Sequence, residues 1–397
     1  MTPAARIQAA IEILDTVIAA VRSANHGSGG ASADKLVAEG LKARRYAGSK
    51  DRRAIREYIY AAIRACGPVP ATGRAAMLRL VQVEPDMAAL FDGSNYGPAP
   101  IDVGEPVAEG GIAPAWLEQK LADSGVAGEE AAALLERAPL DVRVNTLKTA
   151  RDTLDLPEAG EAIAAPNGLR FPAGTPVERW DAFAGGAIEV QDGGSQLACA
   201  AVAAQAGEVV IDLCAGAGGK TLALAAQMAN GGTLIAADTN RDRLQRLTPR
   251  AERAGASMIR TVLLNPGREL EALGEWQGKA DAVLVDAPCS GTGTWRRNPE
   301  SRWRLSESEI ARFAATQQRL LEIAGELVRP GGRIVFVTCS LLDAEGADVV
   351  NLFLERNPRF LPLPVKLATG EPRGPGWRLS PARDGTDGFF IARIGTV

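Results

Sequence analysis

Two cysteines stand where apolar runs break into polar, glycine-rich turns. One run ends in Asp286-Ala287-Pro288-Cys289-Ser290-Gly291-Thr292-Gly293, the other in Thr338-Cys339-Ser340. A cysteine is ordinarily a small buried hydrophobe, and Cys66 and Cys199, set inside helical patterns, read that way. A thiol at a strand end beside such turns is instead placed to act as a nucleophile once it is deprotonated. Asp286 adds a carboxylate, and Lys220 adds a cation able to steady that carboxylate or lower a thiol's pKa. The lone histidine, His26, lies in the stretch Gly27-Ser28-Gly29-Gly30 and reads as a solvated loop residue. A Ser-His-Asp triad, a histidine-ligated metal and a histidine general base are therefore excluded. The five cysteines are scattered, odd in number and free of any C-x-x-C pair, which argues against a disulfide framework or a tetrahedral zinc site. No metal is expected.

These residues need strands to present them. From about residue 191 short apolar runs alternate with helical stretches: Val209–Asp212, Thr233–Asp238, Arg260–Leu264, Ala282–Asp286 and Arg333–Thr338. That rhythm predicts an α/β fold with a doubly wound parallel sheet, whose ligands lie outside the carboxyl ends of the strands. In such a sheet the first, fourth and fifth strands are neighbours, so both thiols should flank the same site. Upstream, apolar residues at Ile7, Ile11, Leu14, Ile18 and Val21 mark one face of a helix. Similar patterns at 34–43, 51–65 and 74–91 predict an all-helical first domain over residues 1–92. Five Gly and four Pro between Gly93 and Pro114 predict a linker, 93–114. A connector, 115–190, follows, with two helical runs and a small mixed α/β region opening on a strand at Leu140–Leu147, before the α/β domain of 191–397.

The first strand runs into Asp212-Leu213-Cys214-Ala215-Gly216-Ala217-Gly218-Gly219-Lys220-Thr221, a turn small enough for close backbone approach that opens a helix N-terminus. Asp238 ends the second strand, where an acid can accept hydrogen bonds from ribose hydroxyls. A phosphate loop of the NTPase kind would need glycine where Cys214 stands, and a nicotinamide fingerprint would need glycine where Thr221 stands. S-adenosylmethionine, which asks for the glycine turn and the ribose acid but no triphosphate cradle, fits best.

Two thiols beside that cofactor suit methylation of carbon 5 of a cytosine. That carbon is a poor nucleophile until a thiolate adds at carbon 6 and turns the ring into an enamine. An acid near ring nitrogen 3, for which Asp286 is the candidate, stabilises the charge that develops. Amino-group methylation instead places an aromatic ring after a proline pair at this strand end, and Ala287-Pro288-Cys289 supplies none. Spacing alone does not rank the two thiols.

The chain resembles the Sun/NOP-type RNA cytosine-5 methyltransferases, most closely the bacterial small-subunit rRNA type-B group. The matching pieces are Arg143-Val144-Asn145-Thr146-Leu147-Lys148, Gln191-Asp192-Gly193-Gly194-Ser195-Gln196, Cys214–Thr221, Asp286–Gly293, Arg296-Arg297-Asn298-Pro299, Thr338-Cys339-Ser340 and Thr386-Asp387-Gly388-Phe389-Phe390. The resemblance implies a Rossmann-like fold and Cys339 as nucleophile, with Cys289 assisting product release. It also implies cofactor contacts from Cys214, Ala215, Gly216, Ala217, Gly218, Gly219, Lys220, Asp238 and Asp286, with Arg243 supporting the second strand end. S-adenosylhomocysteine would be the product. Three positions depart from the pattern: Gly216-Ala217 replaces Ala-Pro, Asn265 stands where an Asp contacts the adenine, and Asp343-Ala344-Glu345 replaces Glu-Asn-Glu. The helical first domain resembles the NusB-like RNA-binding domain of the same group, through Arg6 to Leu14, Asp51-Arg52-Arg53 and Ile63-Arg64.

The net charge of −4 hides an asymmetry, with 13 Lys/Arg against 6 Asp/Glu over residues 1–80 and 2 against 11 over 81–140. The basic first stretch suits a phosphate backbone, and Arg296, Arg297, Arg302 and Arg304 look placed for substrate phosphates. An RNA substrate, most readily rRNA, is the expected partner. No apolar run approaches the roughly 18 residues of a membrane span, and the first ten residues lack a secretory pattern. A cytoplasmic monomer is expected. The non-enzymatic alternative is an RNA-binding assembly factor on an inactive methyltransferase scaffold, against which both thiols, Lys220 and Asp286 argue.

Overall fold

In the first 24 residues apolar side chains recur every three or four positions, and the segment Pro3–Ala24 forms helix α1 with Ile7, Leu14, Val17 and Val21 fully buried. The computed structural model describes residues 1–24 and 31–396; His26 and its glycine stretch lie outside them. The chain divides into two units, Met1–Glu136 with Trp295–Ser306, and Arg137–Thr294 with Glu307–Val397.

In the first unit α2 (Ala33–Ala43), α3 (Ser49–Ala65) and α4 (Gly73–Val83) join α1 around a core that includes Val37, Ile55, Ile59, Ile63 and Met77. Ser32 and Thr72 cap α2 and α4, their hydroxyls accepting from the N–H of Lys35 and Ala75. Gly73 is required for packing, since a Cβ there would lie 2.3 Å from the Ile11 carbonyl oxygen. The expected linker is strapped to these helices rather than free. The Arg74 guanidinium donates to Glu105 and to the carbonyls of Ala99 and Pro100, and the Ala108 N–H donates to Ala75 O. Helix α5 (Ala115–Asp123) belongs to this unit as well, not to a connector.

Segment Trp295–Ser306 overturns one expectation. Trp303 is 2% exposed in the helical core, and its Nε1–H donates to Gly67 O at 3.0 Å. Arg302 is fully buried and donates to Ile63 O (2.7 Å), Cys66 O (2.5 Å) and Pro299 O. A helix leaves its last carbonyls without partners, and Arg302 supplies both hydrogen bonds and positive charge at the end of α3. Burial pulls its guanidinium down to about 10. Arg304 donates to Ala31 O, and Arg296 is 5% exposed. Arg302 is thus structural and Arg296 is buried, so the phosphate-binding expectation fails at those two positions, while Arg297 and Arg304 are half-buried.

In the second unit strands β1 (Leu140–Val144), β2 (Glu161–Ala162), β3 (Gly168–Phe171) and β4 (Ile188–Val190) form a four-stranded sheet in the order β2-β3-β1-β4, antiparallel throughout. It belongs to the same compact unit as the large sheet. That sheet contains β5 (Val209–Asp212), β6 (Thr233–Asp238), β7 (Ile259–Leu263), β8 (Ala280–Asp286), β9 (Val328–Thr338), β10 (Phe360–Leu363), β11 (Glu371–Arg373), β12 (Gly376–Leu379) and β13 (Phe389–Thr396). Its order is β11-β12-β13-β9-β8-β5-β6-β7, with β10 beside β13. The five strands expected from the sequence are parallel to one another, and β8 lies between β5 and β9 as the site requires.

Alternation of side chains between the two faces explains the layering. Ile211, Ile235, Val283, Val285, Ile334 and Phe336 pack with helices Glu307–Leu327 and Ala347–Arg356. Val210, Leu234, Leu284 and Val335 pack with helices Gly193–Val202, Gly219–Gln227 and Leu247–Ala254. Strands covered on both faces read as unbroken apolar runs. The antiparallel end, β10 to β13, was not anticipated. β13 pairs antiparallel to β9 from Thr338↔Phe390 to Arg333↔Gly395, bringing the C-terminal motif back to the thiols.

Candidate active site

The turn after β5 is built on glycines whose backbone requires them. Gly216 and Gly218 have φ of 55° and 88°, a region that side chains resist. A Cβ on Gly216 or Gly219 would meet nothing within 4 Å, so this face of the turn borders open space. Asp238 closes the turn from β6, its Oδ2 accepting from Gly216 N and its Oδ1 from Asn240 N, each at 2.7 Å. Each carboxylate oxygen keeps a lone pair for a further donor. The arrangement fits a ribose beside an open glycine turn. Cys214 is half-buried behind it, and burial holds its thiol well above the usual range, with Asp212, Asp286 and Asp238 adding to the effect.

Asp212 itself is fully buried. Its Oδ2 accepts from Thr221 Oγ1 at 2.6 Å, while Oδ1 has no hydrogen-bond partner. Burial raises its carboxyl to about 7 against an ordinary 3.8. Between those values the folded chain holds a proton that the unfolded chain has released, so stability falls as pH rises from about 4 to about 7 and is level in this respect above. Asp212→Asn should flatten that slope, a difference on the order of 2–4 kcal/mol across the window. Urea denaturation of both proteins at pH 4.5–7.5 (roughly the span of the shift) checks it; parallel slopes would overturn it.

Arg243 stands differently from expectation. The Arg243 side chain is exposed with no hydrogen bond among the described residues; its backbone N–H donates to Asn240 Oδ1 at 2.9 Å, so Asn240 supports this strand end. Asn265 follows β7 and is exposed.

At the ends of β8 and β9 the two sulfurs of Cys289 and Cys339 lie 3.4 Å apart. The hydrogen bond between them, and then burial, raises the Cys289 thiol well above its ordinary range. Lys220, from the first turn of helix Gly219–Gln227, places Nζ 2.7 Å from Asp286 Oδ2. Burial alone would depress Lys220, but the Asp286 carboxylate outweighs it and holds the ammonium above its usual range. The Lys220 Nζ also lies 5.6 Å from the centroid of the Phe389 ring. The motifs quoted from the sequence converge here. Asp192 caps helix Gly193–Val202 through Gly194 N and Ser195 N, and its other oxygen accepts from Asp387 N at 3.0 Å. Gly388 N donates to Gly293 O at 2.8 Å, a contact so close that a Cβ on Gly293 would sit 2.2 Å from Gly388 O.

Ser290, Ser340 and Glu345 stand in the quoted motifs, Glu345 as part of the Asp343-Ala344-Glu345 departure, but the sequence assigns none of them a role. Glu345 is fully buried just before helix Ala347–Arg356. Its Oε1 accepts from Ser290 N (2.8 Å), and its Oε2 from Ser340 Oγ (2.7 Å) and Ser290 Oγ. Burial raises its carboxyl, against the pull of those hydrogen bonds. The signal was present as two Cys-Ser dipeptides ending neighbouring strands.

A parallel β7-β6-β5-β8-β9 core, an antiparallel β13 beside β9 and a glycine turn facing an acid define a Rossmann-like methyltransferase domain. Residues 199–395 match the family described as 16S rRNA methyltransferase RsmB/F. Ribosomal RNA small subunit methyltransferase B of Citrobacter koseri is 35% identical over 292 residues, covering 71% of this chain. The chain spans 66% of that relative's length, just under two thirds. The crystal structure of PH0851 superposes with a TM-score of 0.75 at 25% identity, covering 100% of this chain and 99% of the other. A methyltransferase homolog from Pyrococcus horikoshii gives 0.60 at 27% identity, over 71% and 99% of the two chains.

Proposed function

We propose that this protein transfers a methyl group from S-adenosylmethionine to carbon 5 of a cytosine in RNA, through a covalent bond between Cys339 and carbon 6. Small-subunit rRNA is the substrate that the similarity to the Citrobacter koseri protein favours. The observation that carries the reading is the pair of thiols 3.4 Å apart at the ends of adjacent strands, within the same domain as the Lys220–Asp286 pair. Bound cofactor supplies an electrophilic methyl on a sulfonium. The chain's own residues do the rest. Asp238, Gly216 and Gly219 take the nucleoside part, and Cys214 backs the turn. Cys339 adds to carbon 6 as thiolate, which makes carbon 5 nucleophilic. The Lys220–Asp286 pair faces ring nitrogen 3 and offsets the negative charge that develops there. After transfer the carbon 5 proton leaves and the Cys339 thiolate is expelled, restoring the aromatic ring. Cys289, held protonated beside it, assists that departure.

The exposed side chains of Lys42, Arg45, Lys50 and Arg53 give the helical unit a basic surface for RNA phosphates. Labelled methyl transfer to RNA, followed by bisulfite mapping with and without the protein, tests the activity. A protected cytosine is the expected result, and transfer confined to exocyclic nitrogen would overturn it. Asp238→Ala should weaken S-adenosylmethionine binding by about 1.5–3 kcal/mol, the loss of hydrogen bonds to a charged group. Titration calorimetry reads this directly, and an unchanged affinity would remove Asp238 from the cofactor site.

A further inference from the structure

Cys289-Ser290 and Cys339-Ser340 are the same dipeptide at the ends of two strands that are in register up to Asp286↔Val337. Beyond that pair Ala287 N→Val337 O (2.9 Å) continues the ladder and Gly293 N→Cys339 O (2.9 Å) ties the far end of the first turn to the second, but neither bond involves the backbone of Cys289 or Ser290. What joins the two turns afterwards is a compact set of buried polar groups. Ser290 is 7% exposed, and Thr292, Ser340 and Glu345 are fully buried. The Glu345 carboxylate takes three donors, one backbone N–H and two hydroxyls, from the residues that directly follow the two cysteines. The two hydroxyls lie 3.2 Å apart, and Thr292 Oγ1 lies 3.2 Å from Ser340 Oγ and accepts from Leu341 N. Thr338 Oγ1 donates to the Glu345 carbonyl at 3.1 Å, fixing the acid's own backbone to the end of β9.

A buried carboxylate with this many donors is costly unless every bond is made. It is acceptor-only; three of its donors come from the two turns, and Gln317, whose amide also donates to Pro288 O, adds a further side-chain hydrogen bond. We infer that Glu345 is a positioning residue for both thiols: its carboxylate locks the Cys289 and Cys339 turns together and so fixes the separation of the sulfurs. This rests on the reading of those cysteines as the reacting pair. Among the described residues no other carboxylate hydrogen-bonds either serine, and replacing Glu345 with Gln keeps its volume while presenting an N–H₂ to donors that need acceptors. Misplacing a reacting group by about an ångström is enough to cost on the order of 10²-fold in rate.

The test measures sulfur geometry apart from catalysis. Diamide oxidises two neighbouring thiols to a disulfide, taking up both protons and two electrons, and closure of the pair requires the sulfurs to approach to about 2.05 Å. Cys289–Cys339 disulfide formation is followed by mass spectrometry in the full chain, for wild type, Glu345→Gln, Ser290→Ala and Ser340→Ala. Cofactor affinity and melting temperature are measured alongside. Glu345→Gln should close the disulfide at least about tenfold more slowly and lose turnover by about 10²-fold, with cofactor affinity unchanged. Each serine variant should give a smaller loss, and combining either with Glu345→Gln should add little, the mark of one shared network. Wild-type closure and turnover in all three variants would overturn the inference. So would losses that merely track a fall in melting temperature and cofactor binding, because that is structural damage. If Glu345→Gln does not fold, the serine variants carry the same comparison. Should wild type leave every cytosine of its RNA unmethylated at carbon 5 while disulfide closure still depends on Glu345, the cytosine-5 reading fails and the positioning role stands.

Discussion

Cys289→Ala is expected to accumulate a denaturant-resistant protein–RNA complex that carries the transferred methyl group, whereas Cys339→Ala forms no complex and no product. The two sulfurs are 3.4 Å apart, so either could reach a base placed between them, and distance does not separate their roles. The hydrogen bond between them, with burial, raises the Cys289 thiol above its ordinary range, and the choice of Cys339 as the attacking group rests on the resemblance of the two motifs. Without Cys339 the ring is never activated, and turnover should drop on the order of 10⁴-fold or more, the scale for deleting a covalent nucleophile. Without Cys289, addition and methyl transfer proceed and the enzyme stalls with carbon 6 still bonded to Cys339. Gel mobility with substrate RNA and labelled cofactor distinguishes these states. A trapped band in Cys339→Ala, or full activity in that variant, would reverse the assignment and leave the methyltransferase reading intact.

Trp303→Ala should destabilise the helical unit by about 3–5 kcal/mol, the usual range for emptying a buried aromatic site. The indole is 2% exposed among the residues of α1, α3 and α4, and its N–H holds Gly67 O. Arg302→Met should add to this, because it removes the guanidinium donor from the Cys66 carbonyl and leaves Ile63 O with the Cys66 N–H alone at the end of α3. Hydrogen exchange in α3 and α4 is the sensitive readout, since a chain of two units need not unfold in one step. Unchanged protection in α3 after Trp303→Ala would mean that segment Trp295–Ser306 is not part of that core. The same packing bears on truncation. A chain starting near Ala113 would leave Trp303 and Arg302 without the helices that bury them. Point substitutions at Lys42, Arg45, Lys50 and Arg53 are therefore the cleaner test of RNA binding by the basic surface.

Local pattern was enough for much of this protein. The positions of α1 to α4 follow from three-to-four-residue apolar spacing, and β5, β6, β8 and β9 from short apolar runs ending in Asp or Thr. Strand order in a doubly wound sheet then brings Cys289, Cys339, Lys220 and Asp286 together, because topology and not distance in sequence sets which strand ends are neighbours. The glycine turn and Asp238 were legible for the same reason. Other features depended on partners distant in sequence, from 31 residues for Arg74 and Glu105 to 239 for Arg302 and Ile63. Arg302 reads as a surface cation until its donors are seen on Ile63 O and Cys66 O, which no pattern within residues 295–306 encodes. Strand β13 becomes visible only through its pairing with β9, and the linker 93–114 becomes a strap through Arg74 and the backbone bonds Ala108 N→Ala75 O and Gly67 N→Glu109 O. Glu345 looks like one more helix-start acid. Tertiary structure alone decided that it is fully buried under two Cys-Ser turns, because the hydrogen bonds that compensate a buried charge come from chain segments brought together only by folding.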